Sequence, residues 1–334
     1  MAIDLPDLTG QVALVTGGNS GIGDICVRQM AQAGARVFLL ARSADKAQAA
    51  IASLRATDVA AAGRVEHIQC DLASLASVKK AAEDIIAKTD RLDVCLNNAG
   101  VMAMPYVFTE DGLEMQIGTN VVGHYLLTLL LLPLLVKTSL LPEHAERSVR
   151  IVHVSSMGHK SPLSTTDWSS LEKVNQRGGR LESTATWYRY GTSKTGNIQL
   201  ANRFSALLKS LGAERVYNLS LHPGVIKTNL TQGPIQSYGA IAGRAIGFMT
   251  RFLTTAEDGA RTSLYAATSA EVDAKKLDAA YLVPTAKLAQ STAYSRDAQK
   301  GDEMMAFCAA FVKEKVGVDA EAIKAEVKQI LAAK

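Results

Sequence analysis

A tyrosine and a lysine near the middle of the chain are the residues best suited to do chemistry. Tyr190 and Lys194 lie in the stretch WYRYGTSK, which opens a long segment with apolar residues at helical spacing. Because they are four residues apart, the two side chains share one face of the predicted helix. A phenol has an ordinary pKa of about 10, and a neighbouring ammonium favours the phenolate and lowers that pKa. The pair suits acid–base catalysis, although such a pair by itself is also common on a solvated helix face.

A glycine-rich turn near the N-terminus has the setting of a dinucleotide-binding loop. The apolar run at 11–16 is followed by Gly17, Gly21 and Gly23 and then by a helical pattern. In this arrangement of strand, turn and helix, backbone amides at the helix N-terminus can hold a pyrophosphate. The spacing is TGxxxGxG and not the standard GxGxxG, and the Lys-Ser/Thr pair of a nucleoside triphosphatase loop is missing.

The end of the second predicted strand indicates which nicotinamide cofactor binds. The run at 36–41 ends in Ala41 and is followed by Arg42, where an NAD-dependent enzyme usually has an acidic residue that holds the ribose 2′-hydroxyl. A guanidinium can bind a 2′-phosphate there, so the sequence favours NADP(H). A solvated Arg42 with no ligand is the alternative interpretation.

Two polar stretches follow the third and fourth predicted strands. Asp71 is placed to accept a hydrogen bond from an adenine amino group or, alternatively, to cap the helix that follows. The stretch NNAG at 97–100 has small residues that permit close approach of a cofactor, and its Asn97 can tie neighbouring strand ends together.

Asn120 is a polar residue inside an otherwise apolar helix predicted over 109–137. A buried amide needs hydrogen-bond partners or it costs stability. Asn120 therefore either caps a local backbone irregularity or takes part in a proton relay. His124, one turn later, has no assigned role.

The elements that must position these residues alternate between strand and helix. This order favours a single α/β domain over residues 1–334, with a Rossmann fold whose doubly wound parallel sheet has helices on both faces. Two excursions at 157–189 and 229–254 are expected to form substrate or lid segments, and 285–334 is expected to be a helical C-terminal extension with Asp319 capping its last helix. Apolar runs predict about seven strands, at 11–16, 36–41, 64–70, 92–96, 149–154, 215–221 and 281–284.

Composition narrows the class of protein. The 334 residues are 48% hydrophobic, and the 36 basic and 32 acidic residues are scattered without a basic run, so nucleic-acid binding is not indicated. Four well-separated cysteines form no metal pattern, and the first three lie in segments predicted to be buried, as expected for a reduced cytoplasmic protein. The N-terminus lacks signal-peptide features, and the apolar run at 125–136 is shorter than the roughly 20 residues of a membrane span.

Six motifs occur along the chain in one order: TGGNSGIG at 16–23, NNAG at 97–100, Asn120, the serine pair at 155–156, YGTSK at 190–194 and PGVIKT at 223–228. In this order, the motifs resemble those of the classical short-chain dehydrogenases/reductases. The resemblance covers residues 8–285. The stretch TEDGLEMQIGTNVVGHYLL, the long excursion before Tyr190 and the C-terminal extension are most similar to the retinol-dehydrogenase-like, fungal carbonyl reductase and protochlorophyllide reductase branch.

The resemblance implies a catalytic tetrad of Asn120, Ser156, Tyr190 and Lys194. Tyr190 would be the general acid in carbonyl reduction and the base in alcohol oxidation, with Lys194 lowering its pKa and holding the nicotinamide ribose. Ser156 would hydrogen-bond the substrate oxygen. It is preferred to Ser155 because the family's serine is the second of such a pair, and neighbouring strand residues face opposite sides. Asn120 would hold a water that links Lys194 to solvent.

The same resemblance implies contacts with NADP(H), which supplies the hydride. Thr228 would contact the carboxamide. The expected cofactor-binding residues are Gly17, Asn19, Ser20, Gly21, Ile22, Gly23, Arg42, Asp71, Leu72, Asn98, Ala99, Gly100, Tyr190, Lys194, Pro223, Gly224, Val225 and Thr228.

The two excursions are expected to form the walls of an apolar pocket, although some of their side chains could simply pack the lid against the body. The expected enzyme is an NADP(H)-dependent carbonyl reductase or alcohol dehydrogenase acting on a lipophilic ketone, aldehyde or alcohol. The alternatives are an NADPH-dependent carbon–carbon double-bond reductase and a non-enzymatic NADP-sensing interaction protein. By analogy, a homodimer or homotetramer is the default. The wall residues are Met157, Trp168, Trp187, Tyr188, Ile235, Tyr238, Ile246, Phe248, Met249 and Phe252.

Overall fold

The apolar runs of the sequence form one central sheet in the computed structural model, which describes residues 5–161, 166–224 and 255–333. Within these residues the strand order is β3-β2-β1-β4-β5-β6-β7-β8, and every neighbouring pair is parallel except β7 and β8. The strands are β1 Val12–Thr16, β2 Arg36–Ala41, β3 Val65–Gln69, β4 Val94–Asn97, β5 Val149–Val154, β6 Val216–Leu221, β7 Tyr281–Val283 and β8 Lys287–Ala289.

The Rossmann-type sheet predicted from the sequence is confirmed, with one antiparallel strand added at its edge. The short strand β8 escaped prediction because it has three residues and its largest apolar side chain, Leu288, is 65% exposed. The strand order reverses between β1 and β4. A crevice at the carboxyl ends of these two strands is where a doubly wound sheet binds its ligand.

Helices cover both faces of the sheet, so its strands are buried on both sides. In β2, Phe38 and Leu40 belong to one hydrophobic core, whereas Leu39 belongs to the other. The larger helices are α1 Gly21–Gln32, α2 Ala44–Arg55, α4 Leu75–Lys88, α5 Met115–Ser139, α7 Glu182–Leu211, α8 Ala256–Thr268, α11 Ala298–Val316 and α12 Ala320–Ala332, and the short ones are α3 Val59–Ala62, α6 Leu171–Val174, α9 Glu271–Ala274 and α10 Ala293–Arg296.

Helix α5 begins later than the sequence pattern predicts. The pattern begins at Thr109, but the helix begins at Met115, because the Glu114 carboxylate accepts hydrogen bonds from the first amides of the helix. A π-helical turn, Gly118–Val122, then surrounds Asn120. By length and hydropathy α5 could cross a membrane, but 89% of its most apolar window is buried inside the protein. The apolar run at 125–136 predicted a buried helix, and α5 confirms it.

Helix α7 begins earlier than expected, at Glu182, so its first two turns belong to the excursion at 157–189. The Ser- and Thr-rich sequence of this segment hid the helix, because these residues usually favour caps and turns. The ion pair between Glu182 and Arg189 stabilises the first turns.

The C-terminal extension packs onto the helices that carry Asn120 and Tyr190: α11 contacts α7, and α12 contacts α5. The fully buried Met304, Cys308 and Val327 join the same core as α5 and α7. Asp319 caps α12 as predicted, with its carboxylate accepting a hydrogen bond from the Glu321 amide. The extension is therefore an integral part of the fold.

Candidate active site

The end of strand β5 brings a serine to the Tyr190 hydroxyl. Ser156 follows β5, and its hydroxyl hydrogen-bonds the Tyr190 phenol on helix α7. Ser155 faces the other way, and its hydroxyl donates to the Lys194 carbonyl oxygen at 2.6 Å. The structure therefore brings Ser156 together with Tyr190, and it uses Ser155 to fasten the helix to the sheet.

The pKa of Tyr190 is shifted in the direction opposite to the sequence-based expectation. Burial raises it to about 12, and the Ser156 hydrogen bond opposes this rise only in part. The Lys194 Nζ lies 5.9 Å from the centre of the Tyr190 ring, and it donates its hydrogen bond to the Val154 carbonyl at 3.0 Å. Removal of the phenol from water is the larger effect. Tyr190 is thus a protonated phenol at neutral pH.

Lys194 is a buried cation, with 5% of its surface exposed. Burial lowers its pKa from 10.5 to about 8, because an ammonium loses hydration in the interior. A group with a pKa near the working pH can both give and take a proton. Lys194 therefore has the properties of a proton reservoir beside Tyr190.

Both polar atoms of the Asn120 side chain form hydrogen bonds. Its Oδ1 accepts a hydrogen bond from the Val101 amide at 2.8 Å, and its Nδ2 donates to the Val101 carbonyl and to the Ser193 hydroxyl, each at 2.9 Å. These bonds satisfy a residue in a π-helical turn, a feature that often marks functional sites. One lone pair of Oδ1 has no partner among the described residues.

Gly100 of the NNAG stretch separates Asn120 from Lys194. A Cβ placed on Gly100 would lie 3.1 Å from both the Asn120 Oδ1 and the Lys194 Nζ. A side chain at this point would crowd both polar groups. The two polar groups thus flank one small residue at the end of β4, close to the crevice.

His124 is a residue whose part in the site the sequence did not reveal. Thr16, at the end of β1, accepts hydrogen bonds from the Asn98 and Ala99 amides, each at 2.9 Å. Both lone pairs of its hydroxyl are then used, so its proton goes to the His124 Nε2 at 2.9 Å. The other nitrogen, Nδ1, donates to the Asn120 carbonyl at 3.0 Å.

This chain of hydrogen bonds ties the carboxyl ends of β1 and β4 to the π-helical turn. Burial lowers the pKa of His124 to about 4, so the ring stays neutral. The only signal in the sequence was the spacing of four residues between Asn120 and His124, which places both on one helix face. The sequence alone contained no sign that Thr16 lies close to Asn120 and His124.

The turn after β1 fits a pyrophosphate. Gly17 and Gly21 have φ angles of 65° and 55°, which favour glycine. A Cβ on Gly23 would clash with the Gly17 carbonyl oxygen. Ser20 precedes α1 without a side-chain capping bond, so the first amides of α1 face the crevice with Asn19 and Ile22 beside them. The Asn98 side chain donates to the Thr16 carbonyl at 2.9 Å and braces the turn.

Arg42 and Asp71 lie at the ends of the neighbouring strands β2 and β3. The Arg42 side chain is 78% exposed, and its Nη1 lies 3.8 Å from the Asp71 carboxylate. Asp71 accepts a hydrogen bond from the Ala73 amide at 3.0 Å, while Ser74 is the N-cap of α4. The helix-cap alternative for Asp71 is therefore wrong. Leu72 is buried beneath α5.

Several predicted site residues follow strand β6. Pro223 and Gly224 follow His222, the first residue after the strand, and the Gly224 amide donates to the His222 Nδ1 at 3.1 Å. Val225 and Thr228 lie outside the described residues. So do the expected wall residues Ile235, Tyr238, Ile246, Phe248, Met249 and Phe252.

Two of the expected wall residues lie beside the tetrad, but Trp168 does not. Trp187 is 40% exposed, and its ring packs edge-on against the Tyr190 ring at 6.0 Å. Met157 follows Ser156 directly and is 46% exposed. Trp168 is buried against Phe307 of α11, with ring centres 5.7 Å apart, so its assignment to the pocket wall is wrong. Its ring is part of the apolar core that includes residues of α11.

A cavity of about 480 Å³ lies elsewhere, between α5, α7, α11 and α12, and is lined by Tyr125, Arg203, Met305 and Lys324 among others. None of the four predicted catalytic residues lines it. In the part of the chain that the structure describes, no group of three or more His, Cys, Asp or Glu side chains is placed to hold a metal ion.

Comparisons with known proteins identify the family of this chain. A family model for short chain dehydrogenases matches residues 11–167. An uncharacterized oxidoreductase of Schizosaccharomyces pombe is 38% identical over 286 residues, which are 85% of this chain and 80% of the relative. Retinol dehydrogenase 11 of Mus musculus is 36% identical over 260 residues, which are 78% of this chain and 74% of that protein.

A solved structure extends the similarity to nearly the whole chain. The crystal structure of an uncharacterized protein from Mycobacterium paratuberculosis aligns with a TM-score of 0.64 and 28% identity, and the alignment covers 95% of this chain and 97% of that one. The family resemblance drawn from the motifs is confirmed. The chain belongs to the short-chain dehydrogenase/reductase family of oxidoreductases.

Proposed function

We propose that this protein is an NADP(H)-dependent oxidoreductase that interconverts lipophilic ketones or aldehydes and their alcohols, with Tyr190 as the general acid and base. The observation that carries the proposal is the hydrogen bond between Ser156 and the protonated Tyr190, with the buried Lys194 one turn further along the helix. Family membership supports an enzyme that acts on CH–OH and C=O groups with a nicotinamide cofactor.

In this proposal the chain's own residues supply the proton and the geometry. The bound cofactor supplies the hydride. Ser156 hydrogen-bonds the substrate oxygen, and the Tyr190 proton passes to that oxygen as the carbonyl is reduced. Lys194 then restores the proton to Tyr190, because its pKa of about 8 lets it release one near neutral pH. A water on the remaining lone pair of the Asn120 Oδ1 would connect Lys194 to solvent.

The preference for NADP(H) rests on Arg42. Its exposed guanidinium stands at the end of β2, and the strand ends in Ala41 in place of the acidic residue that holds the ribose 2′-hydroxyl in NAD-dependent enzymes. The ion pair with Asp71 at 3.8 Å is solvated and weak, so Arg42 can turn to a phosphate at little cost.

The preference for a lipophilic substrate rests on the surface beside Tyr190. Trp187 and Met157 are large apolar side chains that stay partly exposed next to the tetrad. Exposed apolar groups beside a reactive centre are suited to bind an apolar substrate.

The proposal is tested by following cofactor consumption over a panel of lipophilic aldehydes, ketones and enones. NADPH should be consumed faster than NADH, and Arg42→Ala should raise the KM for NADPH about tenfold or more. Arg55→Ala, which removes an exposed arginine at the far end of α2, should leave that KM unchanged. Equal use of both cofactors by the wild type would contradict the role of Arg42.

Product analysis on an enone separates the remaining alternatives. An allylic alcohol supports the carbonyl reductase, whereas a saturated ketone would identify a double-bond reductase. Tight NADPH binding without turnover of any panel member would favour the sensor.

A further inference from the structure

Arg189, the residue before Tyr190, is a buried cation that the proposed chemistry does not use. Its side chain is 2% exposed, and its Nε donates to the carboxylate of Glu114, which is 1% exposed, at 3.1 Å. Its Nη2 also pairs with Glu182 on the first turn of α7. Burial of an ion pair often costs as much free energy as the pair recovers. A role beyond stability would explain why both charges lie so deep.

The other hydrogen bonds of Arg189 go to two loops. Nη1 donates to the Arg177 carbonyl at 2.8 Å, and Nη2 donates to the Met104 carbonyl at 3.0 Å. The guanidinium carbon also lies 5.2 Å from the centre of the Tyr106 ring. Arg189 thus joins the excursion at 157–189 through Arg177, the loop after β4 and helix α7.

Glu114 links Arg189 to helix α5, which carries Asn120. Its second carboxylate oxygen accepts hydrogen bonds from the Gln116 and Ile117 amides, each at 3.0 Å, and so starts α5. The π-helical turn around Asn120 begins one residue after Ile117. A displaced Glu114 would therefore displace the start of this turn.

A second set of bonds reinforces the connection. The Gln116 side chain accepts a hydrogen bond from the Ala103 amide at 2.9 Å and donates to the Thr186 carbonyl at 3.1 Å. The Thr186 hydroxyl donates to the Met104 carbonyl at 2.7 Å. The start of α5 and the turn of α7 before Tyr190 are consequently held together through side chains from both.

We propose that Arg189 and Glu114 are positioning residues that set where the Tyr190 hydroxyl lies relative to Ser156 and Asn120. Neighbouring residues on a helix point about 100° apart, so Arg189 anchors the backbone of this turn while Tyr190 points into the site. The effect on turnover rests on the proposed function. The effect on the position of the turn does not.

The kinetic test uses Arg189→Lys, which keeps the charge but has one nitrogen in place of the three that make these hydrogen bonds, and Glu114→Gln, which keeps the size and removes the charge. A small misplacement of a reacting group can lower a rate about 100-fold, so we expect kcat to fall about 10- to 100-fold. The Kd for NADPH should change less than about twofold, because none of the network residues belongs to the expected cofactor contacts.

A second buried ion pair provides a matched control. Arg150 pairs with Asp273 at 2.6 Å, and the two side chains are 3% and 17% exposed. Arg150 lies near the amino end of β5, at the edge of the sheet opposite the site. Arg150→Lys should lower the urea midpoint about as much as Arg189→Lys does and leave kcat within about twofold of wild type.

The fluorescence emission of Trp187 reports the position of the turn of α7 that carries Tyr190, and its measurement does not depend on enzymatic activity. The chain has two tryptophans, so Trp168→Phe leaves Trp187, which packs on Tyr190, as the only one. In this background Arg189→Lys should shift the emission maximum under native conditions, and Arg150→Lys should not. The double variant Glu114→Gln/Arg189→Met, which removes both charges, should regain stability relative to Arg189→Met and keep the low kcat.

The outcomes separate positioning from simple stabilisation. A shifted Trp187 emission together with a kcat loss specific to the Arg189 and Glu114 variants supports the proposal. An unchanged emission overturns it, and so does a kcat loss matched by Arg150→Lys. If the wild type turns over no substrate, the proposed function fails, and the emission still decides the role of Arg189.

Discussion

Replacement of Lys194 by methionine should change how the stability of the protein depends on pH. The wild-type lysine has a pKa of about 8 in the folded protein, against 10.5 as its ordinary value. Between these values the unfolded chain binds more protons than the folded one, so the free energy of unfolding rises with pH. Below pH 8 the buried ammonium lowers stability by about 3 kcal/mol relative to the neutral amine, and this penalty disappears as the pH approaches 10.5.

The assay is urea-induced unfolding of wild type and Lys194→Met at pH 7, 8 and 9, without added cofactor. The free energy of unfolding of the wild type minus that of Lys194→Met should increase by about 1 kcal/mol from pH 7 to pH 9. Lys194→Met also loses the hydrogen bond to the Val154 carbonyl, and this loss changes the free energy of unfolding of the variant by an amount that varies little with pH. Groups common to both proteins cancel in the subtraction.

Lys137→Met controls for the removal of a lysine, because Lys137 is exposed in the last turn of α5. The free energy of unfolding of the wild type minus that of Lys137→Met should stay constant from pH 7 to pH 9. A flat or falling difference for Lys194→Met would refute the argument, because it would mean that burial does not weaken proton binding at Lys194.

Three further predictions concern the site and the extension. Ser156→Ala should lower kcat about 10- to 100-fold, whereas Ser155→Ala should mainly lower the free energy of unfolding, by about 1 kcal/mol; steady-state kinetics and urea titration of both variants check this, and equal kcat losses would contradict it. Trp168→Ala should destabilise the protein by about 3 to 5 kcal/mol and leave the substrate KM within about twofold, so a large rise in KM with little loss of stability would return Trp168 to the pocket. Because α11 and α12 cover α7 and α5, we propose a monomer of 35.5 kDa in place of the homodimer or homotetramer expected by analogy; light scattering checks this, and the mass of a dimer or tetramer would contradict it.

The strands were predictable because a parallel sheet with helices on both faces needs continuous apolar runs. The bounds 36–41 and 149–154 agree with β2 and β5 to the residue. The choice of Ser156 over Ser155 combined the family's use of the second serine with the alternation of side chains along a strand, and the structure brings only Ser156 to Tyr190.

What escaped prediction depends on contacts between distant parts of the chain. The role of His124 follows from Thr16, which is 108 residues away, and the late start of α5 follows from the cap that Glu114 provides. The position of Trp168 depends on Phe307 in the C-terminal extension. The rise in the pKa of Tyr190 needed a measure of burial, which the Lys194 spacing does not contain.

The most direct test of the proposed chemistry is the turnover of Tyr190→Phe. With the best ketone or aldehyde of the panel and saturating NADPH, its kcat should fall at least about 100-fold below wild type, the range expected for a lost general acid. Its Kd for NADPH, measured by fluorescence, should change little, because only the phenol hydroxyl is removed. A variant with near-normal kcat would show that Tyr190 does not deliver the proton and would contradict the account of the site.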